Sequence, residues 1–154
     1  MSAERLREYL LTRGVPYEVH EHPLAFTTSR VAEVEHIPGK DIAKPVILMA
    51  DDHFVMAVVP GHKHVDLTKA KTAIGCDSVR LADEAEFSTA FADCERGAEP
   101  PIGHLYGMQT IVDLWLRSPR VTFRGGCHTQ TITMAMEDYR SAANATVGDV
   151  AAGL

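Results

Sequence analysis

The stretch KPVILMADDHFVMAVVPG, residues 44–61, decides the fold. Two apolar runs, 45–50 and 53–60, flank the pair Asp51-Asp52, the spacing of a β-hairpin closed by a two-residue turn. Lys44 stands at the mouth of the first strand. In mid-strand an ammonium would meet a large desolvation cost, so its place is the strand end, where Pro45 is also tolerated. Two readings are open there: an edge lysine whose head snorkels into water, or a fixed cation facing an anion or a carbonyl.

Working outward, Ser2 is placed to cap a helix carrying Leu6, Leu10 and Arg13, which Gly14 and Pro16 stop. PYEVHEH (16–22) reads as a short strand. Thr28 or Ser29 starts a helix through RVAEVEHI that PGKD (38–41) closes. Beyond the hairpin, Asp66 caps LTKAKTAIG (67–75) and VRLA (79–82) is a brief strand. DEAEFSTAFADC (83–94) reads as a helix, and RGAEPPIGHLYG (96–107) as neither helix nor strand. TIVDLWL (110–116), RVTFRG (120–125) and TQTITMAM (129–136) follow as strands, and EDYRSAA (137–143) as a last helix. The pattern predicts one α+β domain over residues 1–154, with a mixed, mostly antiparallel sheet and flanking helices.

The 154 residues are 45% hydrophobic, enough to bury a real core. No run of about eighteen apolar residues suggests a membrane span, and the N-terminus is charged from Glu4 onward, so a soluble, cytoplasmic protein is expected. Cys76, Cys94 and Cys127 are odd in number and widely spaced, which predicts reduced thiols rather than disulfides or a zinc knuckle. A net charge of −6 argues against tight, nonspecific binding to nucleic acid. Two basic clusters, GHKHVDLTKAKT (61–72) and RSPRVTFRGG (117–126), read as solvated surface.

Three places exceed what a core and a surface require. Lys44 is the first. GAEPP (97–101) is the second: a plain turn on one reading, and on the other a rigid loop in which Gly97 permits close approach and the prolines leave carbonyls to face a ligand. The third is RGGCHT (124–129), where Gly125-Gly126 suits a hairpin turn and Cys127 a small buried residue. A thiol nucleophile paired with His128 is disfavoured, because adjacent strand residues point to opposite faces. His20, His22, His62 and His64 lack an assignable third ligand, so no metal site is expected.

In this order, PYEVHEHPLAFTT (16–28), GKDIAKPVILMADDHFVMAVVPGHKHVDLTKAKTAIG (39–75), VRLADEAEF (79–87), GAEPPIG (97–103) and GCHTQTITMAMEDY (126–139) resemble the YbaK/prolyl-tRNA synthetase-associated editing domains, which are aminoacyl-tRNA deacylases. The resemblance implies a barrel-like sheet. It also implies Lys44 and His128 as catalytic residues, and a substrate site built from Thr27, Gly97, Ala98, Glu99, Pro100, Pro101 and Gly126. In that reading the lysine meets the terminal aminoacyl-adenosine at the strand mouth. The implied activity is trans-editing, the hydrolysis of tRNA mischarged with a small amino acid, without cofactor. The implied partners are the 3′ end of the tRNA and, as an optional second, an aminoacyl-tRNA synthetase. One departure is Pro45, which supplies no amide donor beside Lys44. Two alternatives carry other outcomes: an idle module of the same fold that binds tRNA ends or a synthetase, and a thiol- or metal-dependent small-molecule hydrolase.

Overall fold

A computed structural model describes residues 4–153; the Ser2 cap lies outside them. The chain runs α1 (Glu4–Arg13), β1 (Glu18–Glu21), α2 (Thr28–Glu35), β2 (Ala43–Ala50), β3 (His53–Pro60), β4 (His64–Val65), α3 (Leu67–Ile74) and β5 (Val79–Leu81). It continues through α4 (Glu84–Phe87), β6 (Gln109–Asp113), β7 (Arg120–Arg124), β8 (Gln130–Ala135), α5 (Met136–Ala142), β9 (Thr146–Gly148) and β10 (Ala151–Ala152).

The hairpin forms as expected, with Ala50 opposite His53. Asp51 takes φ +54°, a left-handed turn conformation that aspartate tolerates, and its Oδ1 accepts the amides of Asp77 and Ser78 at 3.1 and 3.0 Å. The turn is thereby tied to the start of β5.

The hairpin is the middle of a five-stranded sheet ordered β5-β2-β3-β6-β9, in which β3–β6 and β6–β9 are parallel. Both faces are covered, so Val55 to Val59 form an unbroken apolar run without alternation. Met56 and Val58 pack in one core with Leu6 and Leu10 of α1 and Phe123 of β7; Val55, Ala57 and Val59 pack in another with Ala70 of α3. A second sheet, β1-β8-β7, is antiparallel throughout, and β4 pairs with β10. The class is α+β with a mixed, mostly antiparallel sheet.

Among the described residues the sheets do not close into a barrel. Closure requires every edge to be paired, whereas β5 covers only Leu48–Ala50 of β2 and a lone bridge, Ile42 to Thr122, links the two larger sheets. The edge of β2 along residues 43–46 stays open on that side.

Other departures have local causes. The helix predicted over 83–94 is α4 followed by a 3₁₀ turn (Ser88–Phe91), tightening where Ser88 and Thr89 bring weak helix propensity. Helix α2 starts at Thr28, with the Thr27 hydroxyl accepting the Arg30 amide at 3.1 Å, one residue earlier than the caps expected. The strand predicted over 110–116 stops at Asp113, whose buried carboxylate accepts the amides of Trp115, Val150 and Ala151, each at 2.9 Å, and turns the chain. Strands β4, β9 and β10 are too short to carry a periodic signal. Among the described residues no helix is long and apolar enough to cross a membrane.

Candidate active site

A cavity of about 380 Å³ opens beside the unpaired edge of β2. Six consecutive residues, Ile42 to Ile47, line it, which happens when a strand is met edge-on and not on one face. The Ile47 carbonyl accepts the Ala82 amide at 3.0 Å, so the odd-numbered residues of this segment turn their backbone outward. Pro45 therefore gives the open edge a carbonyl and no amide, and its missing N–H costs no ladder bond. The opposite wall comes from Gly97, Glu99, Phe123 and Arg124, and Phe26 and Thr27 stand before α2.

Four charged residues line the cavity, Lys44, Glu84, Glu99 and Arg124, of which Glu84 is largely exposed and lies 4.0 Å from the Arg96 guanidinium. Lys44 is half-buried; its Nζ donates to the Lys63 carbonyl at 2.5 Å and lies 3.4 Å from that of Gly61. An ammonium has three N–H groups, so the two carbonyls leave one over. Burial lowers the Lys44 pKa below the usual lysine range. Arg124 is only 7% exposed, against the solvated surface that its cluster predicts. Burial lowers its pKa while the negative charge of Glu99 pulls the other way. Burial raises the Glu99 pKa, opposed by the Gly97 amide donating to Oε2 at 3.0 Å and by Arg124.

Of the residues expected at a site, Thr27, Lys44, Gly97 and Glu99 line this one cavity, brought together from three distant segments. Ala98, Pro100, Pro101, Gly126 and His128 are buried and do not line it. The Pro100 carbonyl accepts the Ile102 amide at 2.9 Å and that of Pro101 the Tyr139 hydroxyl at 2.8 Å, so both face inward instead of toward a ligand.

His128 belongs to the layer behind the wall. Its Nδ1 lies 2.9 Å from Nη1 of Arg124, which can only donate, so Nδ1 accepts and Nε2 carries the proton toward the Arg96 carbonyl at 2.7 Å. The His128 amide donates to Oε1 of Glu95 at 2.8 Å, and the Gly126 carbonyl accepts the Glu95 amide at 2.8 Å. Residues 125–129 are thus a clamp on the 95–97 loop, not the tight hairpin turn expected. Gly97 sits at φ +84°, a left-handed conformation that explains glycine there. Both ring nitrogens are engaged by protein.

Sequence reasoning missed Arg124 and Phe26. A strand-end arginine resembles a solvated one until the layer above it is known. Phe26 left a usable signal, an exposed aromatic in a turn; it is 64% exposed and its ring lies 4.8 Å from that of His128. Cys127 is buried with Sγ 3.5 Å from the Thr129 hydroxyl, away from the cavity. Among the described residues no three His, Cys, Asp or Glu side chains converge as metal ligands would.

Fold and cavity together define a small α+β domain with a charged cavity at an open strand edge. Residues 22–142 match the model of the aminoacyl-tRNA editing domain, and the chain belongs to that family. It is 33% identical over 69 residues to the proline–tRNA ligase of Thermosipho africanus, covering 45% of this chain and 12% of the ligase. It is 29% identical over 102 residues to that of Gloeobacter violaceus, covering 63% of this chain and 17% of the ligase. The chain thus spans a small part of the curated relatives it matches. A solved structure of a candidate trans-editing enzyme for prolyl tRNA synthetase superposes with TM-score 0.86 at 25% identity, over 98% of this chain and 97% of that one. A hypothetical protein superposes with TM-score 0.87 at 22% identity, covering 97% of this chain and 100% of that one, and shares the fold.

Proposed function

We propose that this chain is a cytoplasmic, trans-acting deacylase that hydrolyses the ester joining a small amino acid to the 3′ end of a mischarged tRNA. The observation that carries the reading is the convergence of Lys44, Glu99 and Arg124 on the lining of one cavity of about 380 Å³. The names of the ligase relatives and of the trans-editing neighbour favour the proline tRNA, with the synthetase as a second partner.

An aminoacyl ester is already activated, so positioning and oxyanion stabilisation suffice: the oxygen of a water bonds to the ester carbon, and one proton of that water goes to the departing ribose oxygen. In this mechanism the free N–H of Lys44 meets the ester oxygen as it gains negative charge. Glu99 and the Pro45 carbonyl hold the substrate's α-ammonium, and the ester C–O bond breaks with the ribose oxygen leaving. His128 acts one layer back as a positioning residue, holding Arg124 and the 95–97 loop.

A deacylation panel over purified misacylated tRNAs tests the assignment. Alanyl, seryl or cysteinyl esters are expected to be cleared and bulky ones spared, because steric exclusion discriminates far better than a missing methylene worth about 1–3 kcal/mol. Turnover of phenylalanyl or tryptophanyl esters alone, or of none, sinks it. Activity should also persist in EDTA and in Cys127→Ser; loss in EDTA with recovery on adding zinc moves the case to metal-assisted hydrolysis.

The pH profile tests Glu99. Its pKa is raised, so the carboxylate takes a proton, and releases the ammonium, as pH falls through a value above the ordinary glutamate range. kcat/KM should decline on that limb. Glu99→Gln should flatten the limb and lower the plateau about 10–100-fold, the worth of a charged hydrogen bond. An unchanged limb in Glu99→Gln assigns the titration elsewhere.

A further inference from the structure

The two basic clusters that are far apart in the sequence meet at Trp115. The Lys63 Nζ lies 5.7 Å from the centre of the indole ring and the Arg117 guanidinium carbon 4.2 Å. With Lys40, His62 and Ser118 these residues line a hollow of about 460 Å³, and no carboxylate among the described residues lines it. Asp41 stands beside the hollow, taken up by the Ser118 hydroxyl and 3.4 Å from the Lys40 Nζ. On a chain of net charge −6, three cationic side chains around one hollow, Lys40 among them paired with Asp41, are a local reversal of sign.

The hollow is tied to the cavity. The Lys63 carbonyl is the one that holds the Lys44 ammonium, while the Lys63 side chain reaches Trp115. Gly61, which begins that loop, donates to the carbonyls of Gly39 and Ile42, both at 2.9 Å, and has no room for a Cβ beside Thr28. Trp115 is placed by Asp113, which captures its amide, while Leu116 is fully buried. The indole stands 47% exposed and holds two long cationic side chains in place, so that less conformational entropy is lost when they meet an anion. A guanidinium fork and an ammonium at fixed spacing suit phosphate oxygens.

We infer that this hollow seats the phosphodiester backbone of the RNA acceptor end whose terminal ester enters the cavity; the inference rests on the deacylase reading above. It predicts tRNA contact through a few phosphates, and so a shallow salt dependence.

The test is binding of uncharged tRNA, followed by fluorescence anisotropy over a range of salt, beside hydrolysis of an aminoacyl-adenosine that carries no phosphate. The double variant Lys40→Gln/Arg117→Gln should bind tRNA more weakly, with the slope of log affinity against log salt reduced by about 1.4–1.8, and cleave the aminoacyl-adenosine at the unchanged rate. Trp115→Leu should weaken binding with the slope retained, since the cations remain but lose their platform. An affinity and slope equal to those of the unaltered protein overturn the inference, as does a parallel loss of aminoacyl-adenosine hydrolysis. If the unaltered protein cleaves neither substrate while the double variant still loses tRNA, the docking surface stands and the deacylase reading falls.

Discussion

Lys44→Ala is expected to lower kcat/KM for deacylation about 10²–10³-fold, the loss seen when a single pre-oriented oxyanion donor is removed. The fold should survive. Lys44 lies on the open segment of β2, contributes no apolar bulk to either main core, and leaves behind two carbonyls on a half-exposed loop that water can satisfy. Circular dichroism and the melting temperature should therefore stay close to those of the unaltered protein. Lys44→Arg is expected to be impaired as well, because a planar fork cannot bond the Lys63 and Gly61 carbonyls and still aim one N–H at the ester. The lowered lysine pKa adds a sign: the charged form is lost as pH rises through a value below the usual lysine range, so an alkaline limb that vanishes in Lys44→Ala belongs to this group. A folded Lys44→Ala protein with near-normal turnover removes Lys44 from the mechanism.

The hairpin and the position of Lys44 are legible in sequence because they depend on local signals, two apolar runs and the turn between them. The same holds for the Asp66 cap, whose Oδ1 accepts the Thr68 and Lys69 amides, and for the Gly75 stop of α3. What is not legible depends on which segments lie against each other. The open edge of β2 exists because β5 ends at Leu81, and no feature of residues 42–47 announces the length of a strand thirty residues on. His128 has the chemistry of a catalytic residue and Arg124 that of a surface one. Their surroundings differ from what their types suggest: both imidazole nitrogens are engaged by protein, while Arg124 is buried and lines the cavity. The loop carbonyls were sound candidates for ligand contact by composition, yet the proline carbonyls turn inward because the Tyr139 hydroxyl, fully buried, requires an acceptor. Residue type limits the chemistry available; the layer above each residue decides whether it is used.

That contrast makes Arg124 the more informative second target. Arg124→Ala removes the donor to Nδ1 of His128 and the cation opposing Glu99's burial, so two effects should appear together. An unsatisfied buried imidazole nitrogen costs about 1–3 kcal/mol, which for a chain of this length lowers the melting temperature by several degrees. Loss of the guanidinium also raises the Glu99 pKa further, so the acid limb of kcat/KM should move to higher pH. Arg124→Lys separates the two contributions. A lysine restores positive charge near Glu99 but not the fork that reaches His128, so it should return the acid limb toward its original position while leaving the melting temperature low. A merely structural Arg124 would lower stability in both variants and leave the limb where it was, and that result would detach Arg124 and Glu99 from a common role in holding the substrate.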